Sequence, residues 1–206
     1  DQTTLEYAIT FKNILELYHI NPKGLEGAII SSVVPNISNT VRRSVEKVIG
    51  KPCLLVGPGV KTGLNIQMDN PATVGSDLVV TAVAGIKEYK APFVVIDMGT
   101  ATTITCVDKN HNYIGGAIMP GVRVSLESLA QRAAQLHSIS LETPKRAIGK
   151  NTIDCMRSGI VFGNAAMLDG MIDRFATELG ELPTVIATGG LSKAIIPHCR
   201  HKIIYD

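Results

Sequence analysis

Two aspartates in this chain sit where chemistry could be done. Asp97 ends the apolar run Phe93-Val94-Val95-Ile96 and is followed by Met98-Gly99-Thr100-Ala101-Thr102-Thr103. This pattern predicts a buried strand, a tight glycine turn, and a returning β-branched strand from Thr102 to Val107. A turn of that kind exposes backbone N–H groups and short hydroxyls. Those at Thr100 and Thr102 could donate to phosphate oxygens, while Asp97 faces a cation. An ordinary hairpin with an acid in its turn carries the same pattern, and the run alone leaves both readings open. Asp77 stands in Gly75-Ser76-Asp77 at the start of a predicted helix. A carboxylate there either caps the helix or accepts a proton from a substrate hydroxyl as general base.

Three further runs could touch a ligand. Gly57-Pro58-Gly59-Val60-Lys61-Thr62-Gly63 is glycine-rich with one lysine, but it lacks the GK[ST] ending of a Walker A loop. It opens a long polar segment, Gly57 to Thr73, and loops of that length in compact domains are usually functional. Gly149-Lys150-Asn151-Thr152 precedes a helix, so Thr152 is either its N-cap or part of an anion site at the helix start. In Ala187-Thr188-Gly189-Gly190-Leu191 a strand runs into glycines, which let a flat ligand such as an adenine ring approach the backbone. Two strands ending in glycine turns, at Gly99 and Gly189, fit an actin-like ATPase architecture better than a Rossmann fold. No GxGxxG run is present.

Alternating strands and helices must position these residues. Helices are predicted over Thr4 to Tyr18, capped by Thr3 or Thr4, and over Ile37 to Ile49, Val74 to Tyr89 and Val122 to Leu136. A long helix from Thr152 to Leu179 carries many small residues, with a break expected near Gly163 or Gly170. Strands are predicted over Gly27 to Val34 (closed by Pro35), Cys53 to Val56, Tyr113 to Met119, Ile139 to Leu141, Thr184 to Thr188 and Ile203 to Tyr205, with a turn at Asn110-His111-Asn112. The class is α/β. A mild boundary near Lys90-Ala91-Pro92 divides the chain into 1–90 and 91–206.

Composition narrows the function. The chain has 206 residues and is 45% hydrophobic, enough for a substantial packed core. The 20 basic and 18 acidic residues are well mixed, no tryptophan is present, and the net charge is +2. Neither nucleic acid nor a membrane is therefore the expected partner. Cys53, Cys106, Cys155 and Cys199 form no CxxC pair, which reads as reduced core thiols of a cytoplasmic protein. No signal peptide or bilayer-spanning run is visible. The chain opens on Asp1 rather than methionine, directly before a helix.

Taken together and in order, several runs closely resemble the bacterial type III pantothenate kinases. They are Gly27 to Pro35, Val56 to Ile66, Asp69 to Asp77, Asp97 to Thr103, Gly115 to Gly121, Arg132 to Leu136, Ile148 to Thr152 and Ala187 to Leu191. The likeness covers essentially the whole chain. It implies two actin-like (ribonuclease H-like) domains with the active site in the cleft between them. It also implies ATP-dependent phosphorylation of pantothenate to 4'-phosphopantothenate in coenzyme A biosynthesis, with ATP, magnesium and a monovalent cation, potassium or ammonium. The partners it implies are pantothenate, ATP and a second copy of the chain in a homodimer.

Roles carry over by position. Asp77 matches the proton acceptor, Gly75 and Ser76 the substrate-binding backbone, and Thr152 a pantothenate contact. Asp97 matches the monovalent-cation ligand and Thr100, beside Gly99, an ATP contact. Gly189 and Gly190 fall where the adenosine loop is expected. Leu78 stands where the family most often has arginine, and Met68 where a tyrosine often meets pantothenate. The family's first phosphate loop and opening strands, and its closing strand and C-terminal helix, are expected to be missing from this chain. The departures keep two alternatives in play: a regulatory or catalytically impaired relative of the transcriptional accessory type, and a kinase for another hydroxy acid.

Overall fold

The computed structural model describes residues 2–57, 59–132, 136 and 139–206. It divides into two compact units, Asp1–Gly63 with Asn70–Thr81, and Leu64–Asp69 with Ala82–Asp206. Part of the Gly57–Gly63 run (Pro58) and most of the Arg132–Leu136 run lie outside the described residues.

The first unit is a βαβ crossover with a helix laid on it. Helix α1 (Thr4–Leu17) starts on Thr3, whose side chain accepts from the Glu6 N–H (3.3 Å) while Glu6 accepts from the Thr3 N–H (2.6 Å). This reciprocal cap satisfies two donors that have no partner inside the helix, and the Thr3 N–H holds the Glu6 carboxyl below its ordinary pKa. Strand β1 (Ala28–Ser31) leads into α2 (Pro35–Ile49), which returns to β2 (Cys53–Val56). The two strands are parallel, with Ala28 opposite Cys53 and Ser31 opposite Val56. Pro35 does not close the strand but opens the helix. Its ring presets φ for the first turn, where its missing N–H costs nothing. Gly50, at φ 70°, ends α2. The fully buried Ser44 hydroxyl donates to the Thr4 carbonyl (2.8 Å) and so ties α2 to α1.

The second unit is built on one sheet. Strands β4 (Phe93–Met98), β5 (Ala101–Val107) and β6 (Asn112–Pro120) form an antiparallel meander, and β7 (Thr184–Thr188) runs parallel to β4. The short strands β3 (Asn65–Ile66) and β8 (Ile204–Tyr205) lie outside β6 and β7, giving the order β3-β6-β5-β4-β7-β8. Apart from β3, the meander with two parallel strands added beside its first member is the ribonuclease H-like arrangement of an actin-like domain. The mixed α/β class expected from the sequence is the one observed.

Helices cover both faces of this sheet. Val94, Ile96 and Met98 of β4, Ile104 and Cys106 of β5, and Val185 and Ala187 of β7 face α4 (Val122–Arg132) and α5 (Thr152–Leu179). On the opposite face the C-terminal half of α3 (Ser76–Glu88) packs at Gly85, where a Cβ would lie 2.5 and 2.7 Å from carbons of the Phe93 ring.

Helix α5 runs unbroken for 28 residues, contrary to the break expected near Gly163 or Gly170. A glycine costs about 1 kcal/mol in a helix interior. Burying Met156, Ile160, Ala165, Leu168 and Ile172 along one stripe outweighs that, at about 1.5–3 kcal/mol for each large side chain. No strand forms over Ile139–Leu141. The segment is instead held to α5 by Arg157, which donates to the Ser140 carbonyl and hydroxyl (3.3 and 2.9 Å) and pairs with Glu142 (2.9 Å).

After the small helix α6 (Ser192–Ile195), the chain is pinned by a buried carboxylate. Asp169 accepts from the backbone N–H groups of Arg200 (2.9 Å) and His201 (3.1 Å), and the turn they form leads into β8. Asp169→Ala would strand those donors. It is expected to cost about 3 kcal/mol, measured as a lower urea midpoint, with Asp169→Asn losing less.

All four cysteines are free, but Cys155 is exposed rather than part of the core. Burial pushes the Cys106 thiol up to about 11 and the Cys199 thiol up to about 12, with Asp108 and Asp169 respectively adding to the effect. Since the thiolate is the reactive form, iodoacetamide at neutral pH is expected to label Cys155 in the folded protein. Cys106 and Cys199 should be labelled only after unfolding, as peptide mass mapping would show.

Candidate active site

Gly75, Ser76, Asp77 and Leu78 lie together where α3 begins, in the first unit. The Ser76 hydroxyl donates to the Ser32 carbonyl (3.1 Å) and accepts from the Ser31 hydroxyl (3.1 Å). Ser32 in turn accepts from the Ser38 hydroxyl (2.8 Å). A chain of hydroxyls therefore fixes the start of α3 against the end of β1 and the first turn of α2. Sequence reasoning passed over Ser31 and Ser32. The signal was their placement as paired short hydroxyls at the C-terminal end of a strand.

Asp77 is exposed in the first turn of α3, and its Oδ1 accepts from the Leu78 N–H (2.9 Å). That bond serves the helix start and fixes the orientation of the carboxylate. A Cβ on Gly75 would collide with Asp77 Oδ1 and lie 3.3 Å from Val33 Cγ1. Gly75 is therefore the residue that lets the carboxylate fold back over the chain. Leu78 is half-buried beside it.

The second unit gathers another group around the end of β4. Gly99 and Thr100 form the two-residue turn into β5, closed by the Gly99 N–H donating to the Ala101 carbonyl (3.0 Å). Gly121 lies against this turn, and a Cβ there would fall 2.7 Å from the Gly99 oxygen. Gly189, at φ 95°, lies against Met98, and a Cβ there would meet the backbone N and O of Met98 at 2.7 Å each. The Gly189 carbonyl accepts from the N–H (3.2 Å) and the hydroxyl of the fully buried Ser192, which seats α6. The two glycine turns picked out in the sequence are thus packed together. Gly190 is exposed, with open space where a side chain would be.

Strand pairing decides what faces Asp97. Asp97 is opposite Thr103 on β5 and opposite Thr188 on β7. Since side chains alternate along a strand, these three share the face away from α4 and α5, and all are half-buried. Thr102 does not present its hydroxyl to a phosphate at the turn. It pairs with Met98, is fully buried on the α4 and α5 side, and its Oγ1 has no partner among the described residues. The alternation moves Thr103, not Thr102, beside Asp97.

Thr152 is not the N-cap of α5. Asn151 fills that place, accepting from the Asp154 N–H (2.9 Å), so Thr152 is the exposed first helical residue. Met68 is 36% exposed and lies in the second unit, where a Cβ on Gly115 would be 3.5 Å from its sulfur. A cavity of about 220 Å³ opens between α4, Ile139, Leu141 and Leu191, the residue after Gly190. Its walls are apolar, with Arg123 and Glu127 also lining it. Among the described residues no group of three or more His, Cys, Asp or Glu could hold a metal ion, and no helix is long and apolar enough to cross a membrane.

The second unit carries the sheet order of an actin-like domain with glycine turns at two strand ends, and comparison with known proteins narrows the class. The family model for type III pantothenate kinase matches residues 1–174. A type III pantothenate kinase from Exiguobacterium sp. is 45% identical over 197 residues, covering 96% of this chain and 77% of that protein. Another from Bacillus cytotoxicus is 43% identical over 194 residues, covering 94% and 74%. Among solved structures, a Campylobacter jejuni protein described as a Baf family transcriptional activator is 17% identical with a TM-score of 0.61, covering 93% of this chain and 80% of that one. It shares the fold. The chain belongs to the type III pantothenate kinase family.

The glycine pair at the end of β7 allows a discriminating test. Gly189→Ala adds positive-φ strain and a clash with backbone, and is expected to cost about 2–4 kcal/mol, read by thermal denaturation. Gly190→Ala meets nothing and should leave the melting temperature unchanged. A rise in KM for ATP in Gly190→Ala would then report a ligand approaching that backbone.

Proposed function

We propose that this chain transfers the γ-phosphoryl group of ATP to the primary hydroxyl of pantothenate, making 4'-phosphopantothenate for coenzyme A biosynthesis. Family membership over most of the chain supports the reaction. The observation that carries the catalytic assignment is the Asp77 carboxylate, exposed over bare glycine backbone at the start of α3.

Phosphoryl transfer passes through a loose transition state, so the protein mainly positions groups and balances charge. Asp77, oriented by the Leu78 N–H, would hold the substrate hydroxyl and take its proton as the bond to phosphorus forms. The backbone of Gly75 and the Ser76 region would carry the rest of the acceptor. Thr100, exposed at the tip of the β4–β5 turn, would contact the ATP phosphates, with Gly189 and Gly190 near the adenosine. The Gly99 N–H is engaged by the Ala101 carbonyl, which leaves the exposed Thr100 hydroxyl as the donor at this turn, and Gly190 leaves a face clear of side chains. Magnesium would arrive with the nucleotide, since this ion keeps waters and binds through phosphates and few carboxylates. Asp97 would hold a monovalent cation, potassium or ammonium, offsetting phosphate charge. Thr152 and Met68 would contact pantothenate. The same reading makes the protein a cytoplasmic homodimer.

Leu78 favours a second reading. A leucine cannot replace the bidentate grip of a guanidinium on a carboxylate substrate, which is the expectation for a catalytically impaired or regulatory relative. The two separate in one assay. The protein expressed from its complete gene is given ATP, magnesium, potassium and pantothenate, with other hydroxy acids in parallel. Pantothenate turnover that falls at least about 100-fold in Asp77→Asn, with ATP binding retained, supports the kinase and its base. No turnover across monovalent and divalent cations supports the second reading.

A further inference from the structure

On the sheet face that carries Asp97, three adjacent strands place Thr103, Asp97 and Thr188 in one row. The row one step deeper on the same face is Thr105, Val95 and Ile186, all three buried. On β7 the hydroxyl of Thr184 is spent on the Lys90 carbonyl (2.9 Å). The hydroxyls of Thr103 and Thr188 make no intramolecular hydrogen bond among the described residues. Oxygen donors are thus set on both sides of one carboxylate, at the level where the strands approach their open ends.

We propose that Thr103 and Thr188 are further ligands of the cation at Asp97, so that hydroxyl, carboxylate and hydroxyl form one selective site. The proposal rests on the reading of Asp97 as a cation ligand. Adjacent strands lie about 4.8 Å apart, so one ion above the central carboxylate is within reach of a side chain from each neighbour. β-Branching stiffens χ1 and limits how far each hydroxyl can turn away. The donor set carries a single negative charge and two neutral oxygens. That suits a monovalent ion that sheds its water readily. It suits magnesium poorly, because magnesium dehydrates reluctantly and demands near-ideal octahedral geometry. Selectivity for potassium or ammonium would then be set by two threonines that flank the acid from different strands, 85 residues apart in the chain.

The test measures binding without turnover. Thermal stabilisation of the protein is titrated with potassium chloride against tetramethylammonium chloride at constant ionic strength, for the wild type, Thr103→Val, Thr188→Val, the corresponding serine variants and Asp97→Asn. Valine keeps the shape and removes the oxygen; serine keeps the oxygen and serves as the folding control. Each valine variant is expected to raise the half-saturating potassium concentration about tenfold or more, with the serine variants close to wild type. If both valine variants titrate like wild type while Asp97→Asn loses the potassium response, the threonines are not ligands and the proposal fails with the Asp97 reading intact. If Asp97→Asn also titrates like wild type, the Asp97 reading itself is overturned. Should a valine variant not fold, its serine and alanine counterparts decide. Serine like wild type with alanine raised supports the proposal, and alanine like wild type overturns it.

Discussion

Gly121 and Gly189 press against the peptide backbone at the end of β4, and no side chain fits at either contact. This close approach constrains much of the second unit. Gly121 sets where α4 leaves β6, because the chain must pass over the Gly99–Thr100 turn before the helix can begin. Gly189 sets where β7 ends and, through Ser192, where α6 starts. A clash with a flexible side chain can be relieved by a new rotamer. A clash with backbone cannot, so the cost would fall on the strand itself, and a close-packed interior resists such shifts. Gly116 obeys the same rule one strand away, where a Cβ would lie 2.9 Å from the Ile104 carbonyl carbon. Gly189, read as a ligand-approach residue, is therefore first of all a packing residue, whereas Gly190 beside it has open space where a side chain would be.

This separation explains what was legible in the sequence. The Phe93–Val107 hairpin was readable because an apolar run, a glycine turn and a β-branched return all agree on one local structure. The α1 cap was readable to within one residue, Thr3 or Thr4, and the reciprocal bonds with Glu6 place it on Thr3. Two local signals were outweighed by tertiary packing. Glycines in α5 suggested a break, but the buried stripe along the helix keeps it unbroken. The apolar alternation at Ile139–Leu141 suggested a strand, but the segment is fastened by Arg157 from α5, and no strand pairs with it. Pro35 was read as a stop when it was a start, because proline ends a strand and opens a helix with the same fixed φ.

The candidate site was legible in its residues but not in its parity. Asp77 and Asp97 stood out because acids beside glycine are conspicuous at the ends of elements. What faces Asp97 could not be read one strand at a time. A register slip of one residue exchanges Thr102 for Thr103, and with it a core hydroxyl for one beside the acid. The pairing of β4 with β7 added Thr188 from a segment far away in the chain.

The environments of the two acids also argue against exchanging the roles proposed for them. Asp97 is set into a sheet between two hydroxyl-bearing strands, with its neighbours fixed by backbone pairing on both sides. A group so framed is suited to hold an ion whose position should not move during the reaction. Asp77 sits on the first turn of a helix, exposed, with one oxygen oriented by a backbone N–H and bare glycine next to it. That leaves room for a substrate hydroxyl to approach and depart with each turnover. A sheet position gives a carboxylate fixed company, whereas a helix start over glycine gives it access. A general base needs access more than it needs company, and a dehydrated cation needs the reverse.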